Sequence, residues 1–180
     1  LGVIGEGGRG TASYFGLDDE VDIIMGTFSK SLASLGGYMA ASELVCDYVR
    51  HNSRPFIFSA SIPPSSCATA LAALRYIEAH PELPERLLSL SRYARDGLKK
   101  RGLRIRESLT PIIPIYTYQA ENTLRKAKEL YEAGVYVNPV LPPATEPTEC
   151  LLRTSYMATH TEALLDEAMN IIRDVLGAEE

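Results

Sequence analysis

Apolar residues occur in two rhythms along this chain. Short continuous runs, bounded by glycine, proline or small polar residues, stand at Val21-Asp22-Ile23-Ile24-Met25, Tyr38–Ala41 and Phe56–Phe58. Such runs predict short strands, and the first has the character of a buried parallel strand. Elsewhere the apolar positions recur at three–four spacing, which predicts amphipathic helices. Leu44, Val45, Tyr48 and Val49 share one helical face behind Ser42, a good N-cap. Cys67, Ala70, Leu71, Leu74 and Ile77 form a second stripe, opened by Pro63-Pro64. After a break at Pro81–Pro84, Leu87, Leu90, Ala94 and Leu98 form a third, stopped by Gly102. The texture then alternates. Ile112–Tyr118 reads as a strand, Leu124, Ala127 and Tyr131 as a helix ending at Gly134, and Val135–Val140 and Leu151–Tyr156 as two more strands. Thr161 caps a last helix with Leu164, Leu165, Ala168, Ile171, Ile172, Val175 and Leu176 on one face. The pattern predicts an α/β protein: part of a larger α/β domain over residues 1–75 and a small α/β domain over 76–180.

The residue that most changes this picture is Lys30, in Gly26-Thr27-Phe28-Ser29-Lys30-Ser31. It follows the first apolar run and precedes Gly36-Gly37. A lysine at the end of a buried strand, among small hydroxyl residues, can form a Schiff base with an aldehyde cofactor. The same six residues also suit a surface lysine in a polar loop. Arg153, between Leu151-Leu152 and Thr154-Ser155, is a second candidate, because a charge inside an apolar strand is costly unless paired. A bidentate guanidinium–carboxylate pair is the usual reason for such a placement; an edge-strand arginine facing solvent is the plainer one.

Composition narrows the function classes. A hydrophobic content of 46%, 23% charged residues and a net charge of −5 describe an ordinary globular protein without a basic nucleic-acid surface. The triplet Lys99-Lys100-Arg101 reads as a helix C-terminal charge effect. No apolar run reaches the length of a membrane span, and no signal-peptide pattern opens the chain. Cys46, Cys67 and Cys150 lack metal-ligand spacing and read as reduced thiols of a cytoplasmic protein, with Cys67 in the core. His51, His80 and His160 form no metal set, and His160 sits by the cap of the last helix. The glycines at 5, 7, 8 and 10 do not make a P-loop, and neither they nor Arg9 is given a chemical role.

Four stretches together resemble the α-oxoamine synthase family of pyridoxal-phosphate enzymes, within the aminotransferase class I/II superfamily. They are Leu1–Ser42, Phe56–Pro64, Val137–Thr145 and Leu151–Thr161. Family members include serine palmitoyltransferase, 8-amino-7-oxononanoate synthase, 2-amino-3-ketobutyrate CoA ligase and 5-aminolevulinate synthase; the bacterial serine palmitoyltransferases are the most similar. The resemblance implies the C-terminal portion of a fold-type-I enzyme, since the family's Asp-x-x-His segment, which serves the pyridine ring, lies just before the position of Leu1. It implies pyridoxal 5'-phosphate as cofactor and decarboxylative condensation of an amino acid with an acyl-CoA. Lys30 would be the Schiff-base lysine and proton-transfer base. Thr27 would donate to the cofactor phosphate with Ser29 assisting. Ser59 would reach a partner subunit's phosphate in a homodimer with shared active sites, unless Ser59 and Ser61 only cap the helix near Pro63. Arg153 would bind the α-carboxylate. One departure is Leu141, where some bacterial serine palmitoyltransferases carry an arginine.

Serine with a long acyl-CoA is the first substrate pair implied, then alanine with pimeloyl-CoA, then glycine with acetyl-CoA. A reading from another class stays open: a non-catalytic partner subunit or an isolated dimerisation domain.

Overall fold

Glycine governs the first turns. Gly5, Gly7, Gly8 and Gly10 all have positive φ, and the loop closes on itself through Gly8 N–H to Gly5 O and Gly10 N–H to Ile4 O. In the computed structural model, which describes residues 1–177, this loop holds a single 3-10 turn at Glu6–Gly8 and leads into a short helix, α1 (Thr11–Phe15). The chain forms two compact units, Leu1–Pro84 and the remainder from Glu85.

In the first unit, β1 (Ile23–Thr27) and β2 (Gly37–Ala41) form a two-stranded antiparallel ladder, Ile23 opposite Ala41 and Thr27 opposite Gly37. The first apolar run is therefore a strand, shifted two residues along, but neither parallel nor buried. Ile23 is 52% and Met25 74% exposed, because no layer among the described residues of this unit covers them. Ser42 caps α2 (Glu43–Asn52) by accepting from Val45 N–H, yet Leu44 and Tyr48 of the expected apolar face are exposed. The expected strand at Phe56–Phe58 is instead a short helix, α3 (Arg54–Ile57). Pro55 stands in its first turn, where a fixed φ and a missing N–H favour helix, and this outweighs the strand propensity of Phe-Ile-Phe. α4 (Pro64–Ala79) buries Ala70, while Leu71 and Cys67 are exposed, so the core placement of Cys67 is wrong. The inward stripe lies one step round the helix, on Ala70, Ala73, Leu74 and Ile77.

The second unit is built around α5 (Glu82–Lys100), whose Leu87, Leu90, Ala94 and Leu98 are buried as the spacing predicts. Its sheet has the order β3–β5–β4, all antiparallel: β3 (Ile112–Tyr118), β4 (Asn138–Val140) and β5 (Cys150–Ser155). β4 is shorter than Val135–Val140, and its Pro139 fits an edge strand, where a missing N–H costs no central ladder bond. Alternate residues of β3, Ile113, Ile115 and Thr117, are buried. They meet α5, α6 (Ala120–Glu132) and α7 (Glu162–Leu176) in a core that includes Leu98, Leu130, Leu152, Leu165, Met169 and Ile172. A register shift between Tyr116 and Tyr118 lets the buried Thr117 hydroxyl bond Thr123 Oγ1 at 2.6 Å and Cys150 O at 3.2 Å.

Thr161 caps α7 by accepting from Leu164 N–H, and His160 sits beside it, its Nδ1 accepting from Met157 N–H. The basic triplet at the end of α5 does more than complement a helix end. Lys99 pairs with Glu107, and Arg101 reaches Asn170 Oδ1 and Asp166 on α7.

Candidate active site

The loop 28–36 between β1 and β2 presents Lys30. Its base is closed by Phe28 N–H to Gly36 O at 2.9 Å and Ser34 N–H to Phe28 O at 2.9 Å. Its tip is a turn in which Ala33 N–H bonds Lys30 O at 3.1 Å, with Ala33 at φ 48. Two ties fix the loop to the rest of the unit: Ser31 Oγ donates to Leu1 O at 2.7 Å and Ser34 Oγ to Ser66 O at 2.7 Å. Leu32 is 2% exposed and anchors the loop from beneath. Lys30 itself is exposed, three residues beyond the end of β1 rather than buried in it.

Thr27 and Lys30 line one cavity of about 590 Å³, together with Val21, Met25, Tyr38 and Arg9. Ser29 Oγ lies 3.5 Å from Thr27 Oγ1, so the two hydroxyls form one polar edge. Tyr38 is a wall the sequence pattern does not single out. It pairs with Gly26 across the ladder, and its ring stacks near Phe28 at 6.0 Å. A Cβ at position 26 would lie 2.2 to 2.6 Å from the ring and hydroxyl of Tyr38, so with the ring in this place the position requires glycine. The cue available in the sequence was an aromatic residue two positions after Gly36; its opposite partner emerges only from the register.

Ser59 lies in the exposed bend between α3 and α4 and is not on the lining of the Lys30 cavity. Neither Ser59 nor Ser61 caps α4, whose N-cap is Pro63 without a side-chain bond. Arg153 stands in the second unit, on β5. This strand is central, not an edge, and Arg153 is on its exposed side, so the cost of a buried charge does not apply to it here. Its cross-strand neighbours are Pro114 on β3 and Asn138 on β4. On the opposite side of the sheet, Thr154 Oγ1 has one proton to share between Ile113 O at 2.8 Å and Tyr156 Oη at 3.1 Å. Burial holds the Tyr156 hydroxyl above its ordinary pKa, the bond from Thr154 and the nearby Arg95 opposing it. Chemically, the first unit offers an amine and paired hydroxyls over an apolar-walled cavity, and the second offers an exposed guanidinium on a sheet.

The family model for aminotransferase class I and II matches residues 2–172. Serine palmitoyltransferase of Sphingobacterium spiritivorum is 50% identical over 169 residues, 94% of this chain and 42% of that protein. 8-Amino-7-oxononanoate synthase 1 of Bacillus velezensis is 39% identical over 172 residues, 96% of this chain and 44% of that protein. The high-resolution structure of SPT with PLP internal aldimine has a TM-score of 0.92 and 34% identity, over 99% of this chain and 46% of that one. The chain thus spans less than half the length of these relatives, and over that span it has their mixed α/β fold. The chain belongs to the aminotransferase class I and II family.

Proposed function

We propose that this chain is the C-terminal portion of a pyridoxal-phosphate-dependent acyltransferase of the α-oxoamine synthase type, which condenses an amino acid with an acyl-CoA and releases CO2. The observation that carries this reading is the shared cavity of Thr27 and Lys30. At about 590 Å³ it falls in the range of small-molecule sites. Its donor set fits the cofactor: an amine for the aldehyde, hydroxyls for the phosphate, and apolar walls for the ring. In this reading the first unit is the C-terminal part of the large cofactor-binding domain and the second is the small domain.

Pyridoxal phosphate, when bound, supplies an electron sink for negative charge at the amino-acid α-carbon. Lys30 holds the aldehyde through its Nζ and, once released, takes the α-proton at that same atom. Thr27 Oγ1, with Ser29 Oγ beside it, donates to the phosphate. Ser59, exposed and off the cavity of its own chain, would serve the phosphate of a second subunit in a homodimer. Arg153 binds the α-carboxylate. The protein is cytoplasmic in this account, and none of the described helices is long and apolar enough to cross a membrane.

Serine with a long-chain acyl-CoA is the substrate pair favoured, because identity to the serine palmitoyltransferase is 50% against 39% to the 8-amino-7-oxononanoate synthase. The test is Arg153→Ala in the full-length protein. Amino-acid affinity should fall on the order of a hundredfold, the worth of a charge-assisted bidentate contact, while acyl-CoA affinity holds. Equal loss for both substrates would contradict the assignment.

A further inference from the structure

On β5 the core side is taken by Cys150, Leu152 and Thr154, which leaves Leu151, Arg153 and Ser155 on the other face. The register puts Pro114 directly beside Arg153 on one flank and Asn138 on the other. Directly opposed residues on one sheet face have Cβ atoms about 5 Å apart, so these two are its nearest side-chain neighbours across the ladder. The next positions on this face are Ile112 and Tyr116 on β3 and Val140 on β4. None of these neighbours is acidic, and the Arg153 guanidinium makes no hydrogen bond or ion pair among the described residues. The guanidinium is exposed and unpaired, so its planar fork is open to a carboxylate arriving from outside the sheet. Pro114 has no side-chain donor. Asn138 does, and its Nδ2 is spent only on a long contact of 3.4 Å to Tyr136 Oη.

We propose that Asn138 is the second half of the carboxylate clamp. The Arg153 guanidinium and the Asn138 side-chain amide together hold the two oxygens of the amino-acid carboxylate, with Pro114, Tyr116 and Val140 keeping the surroundings apolar. This rests on the reading of Arg153 as the carboxylate anchor. Asn138 makes contact with the carboxylate alone; it moves no proton. Its effect is therefore on amino-acid binding and not on the acyl-CoA.

The experiment measures binding of L-serine and of L-serinamide to the full-length protein by calorimetry. Asn138→Leu, close in size but without a donor, should weaken L-serine on the order of tenfold, as for one lost hydrogen bond to a charged group. L-Serinamide, which lacks the carboxylate, should bind as before, so the preference for acid over amide shrinks by the same factor. Asn138→Asp should weaken L-serine further, because a carboxylate then competes for Arg153. Where Asn138→Leu does not fold, Asn138→Ser, too short to reach, carries the same expectation. Unchanged L-serine affinity in the Asn138 variants, while Arg153→Ala loses its hundredfold, would overturn this inference alone. No loss in Arg153→Ala would overturn the reading beneath it as well.

Discussion

Gly26 and Tyr38 oppose each other across the β1–β2 ladder, and the tyrosine ring occupies the space a side chain at position 26 would need. Gly26→Ala should therefore cost about 1–3 kcal/mol through overpacking, and move the ring off Phe28 and out of the cavity wall. Denaturant unfolding gives the energy, and unchanged stability would mean that the ring does not lie over Gly26. A second residue-scale effect is titration. Tyr156 is held above its ordinary pKa, chiefly by burial, and Tyr93 likewise, chiefly by its 2.7 Å bond to Asp166. A raised folded-state pKa means that the folded protein binds more protons than the unfolded chain above about pH 10. Stability is thus full below that pH and falls as pH rises through the folded values. Denaturation series from pH 8 to pH 11 should show this decline, and Tyr156→Phe should make it shallower. An equal slope in the variant would contradict the assignment to Tyr156.

At the scale of elements, the Lys30 loop depends on Leu32. Leu32→Ala removes the one deeply buried side chain of the loop and should cost about 2–5 kcal/mol if the site does not collapse. Thermal unfolding measures the cost, and a near-neutral result would show that the loop is held by its backbone and serine bonds instead. Leu32 also marks where sequence reasoning stops. Leu32 and Leu35 look alike among the same small residues, yet one is 2% and the other 67% exposed, a difference made only by packing.

Elements whose apolar rhythm is long or regular were legible. Ile112–Tyr118, the α5 stripe and the capped α7 all stand where their spacing places them. The short runs were not. Phe56–Phe58 carries no period, and a proline in the first turn decided for helix. The run at Val21–Met25 was legible as a strand, but its pairing direction is set by the return of the chain through loop 28–36. For the candidate site, Thr27, Ser29 and Lys30 could be named because they are adjacent in sequence. Tyr38 and Asn138 could not, since a cross-strand neighbour exists only once the register does.

At the scale of the whole molecule, the first unit leaves Phe15, Met25, Leu44 and Phe58 from 65% to 81% exposed. Large apolar side chains exposed to this degree favour association. The purified chain of residues 1–180 should sediment in a concentration-dependent way and bind an apolar dye, and a sharp monomer without dye binding would contradict this.

The proposed chemistry stands or falls on whether the Lys30 amine is the one that holds pyridoxal phosphate. The most direct measurement is borohydride reduction of the full-length protein with its cofactor, followed by peptide mapping. The cofactor should be fixed to the peptide Gly26-Thr27-Phe28-Ser29-Lys30-Ser31, and none should be fixed in Lys30→Ala. Label on any other lysine, with Lys30 unmodified, would contradict it.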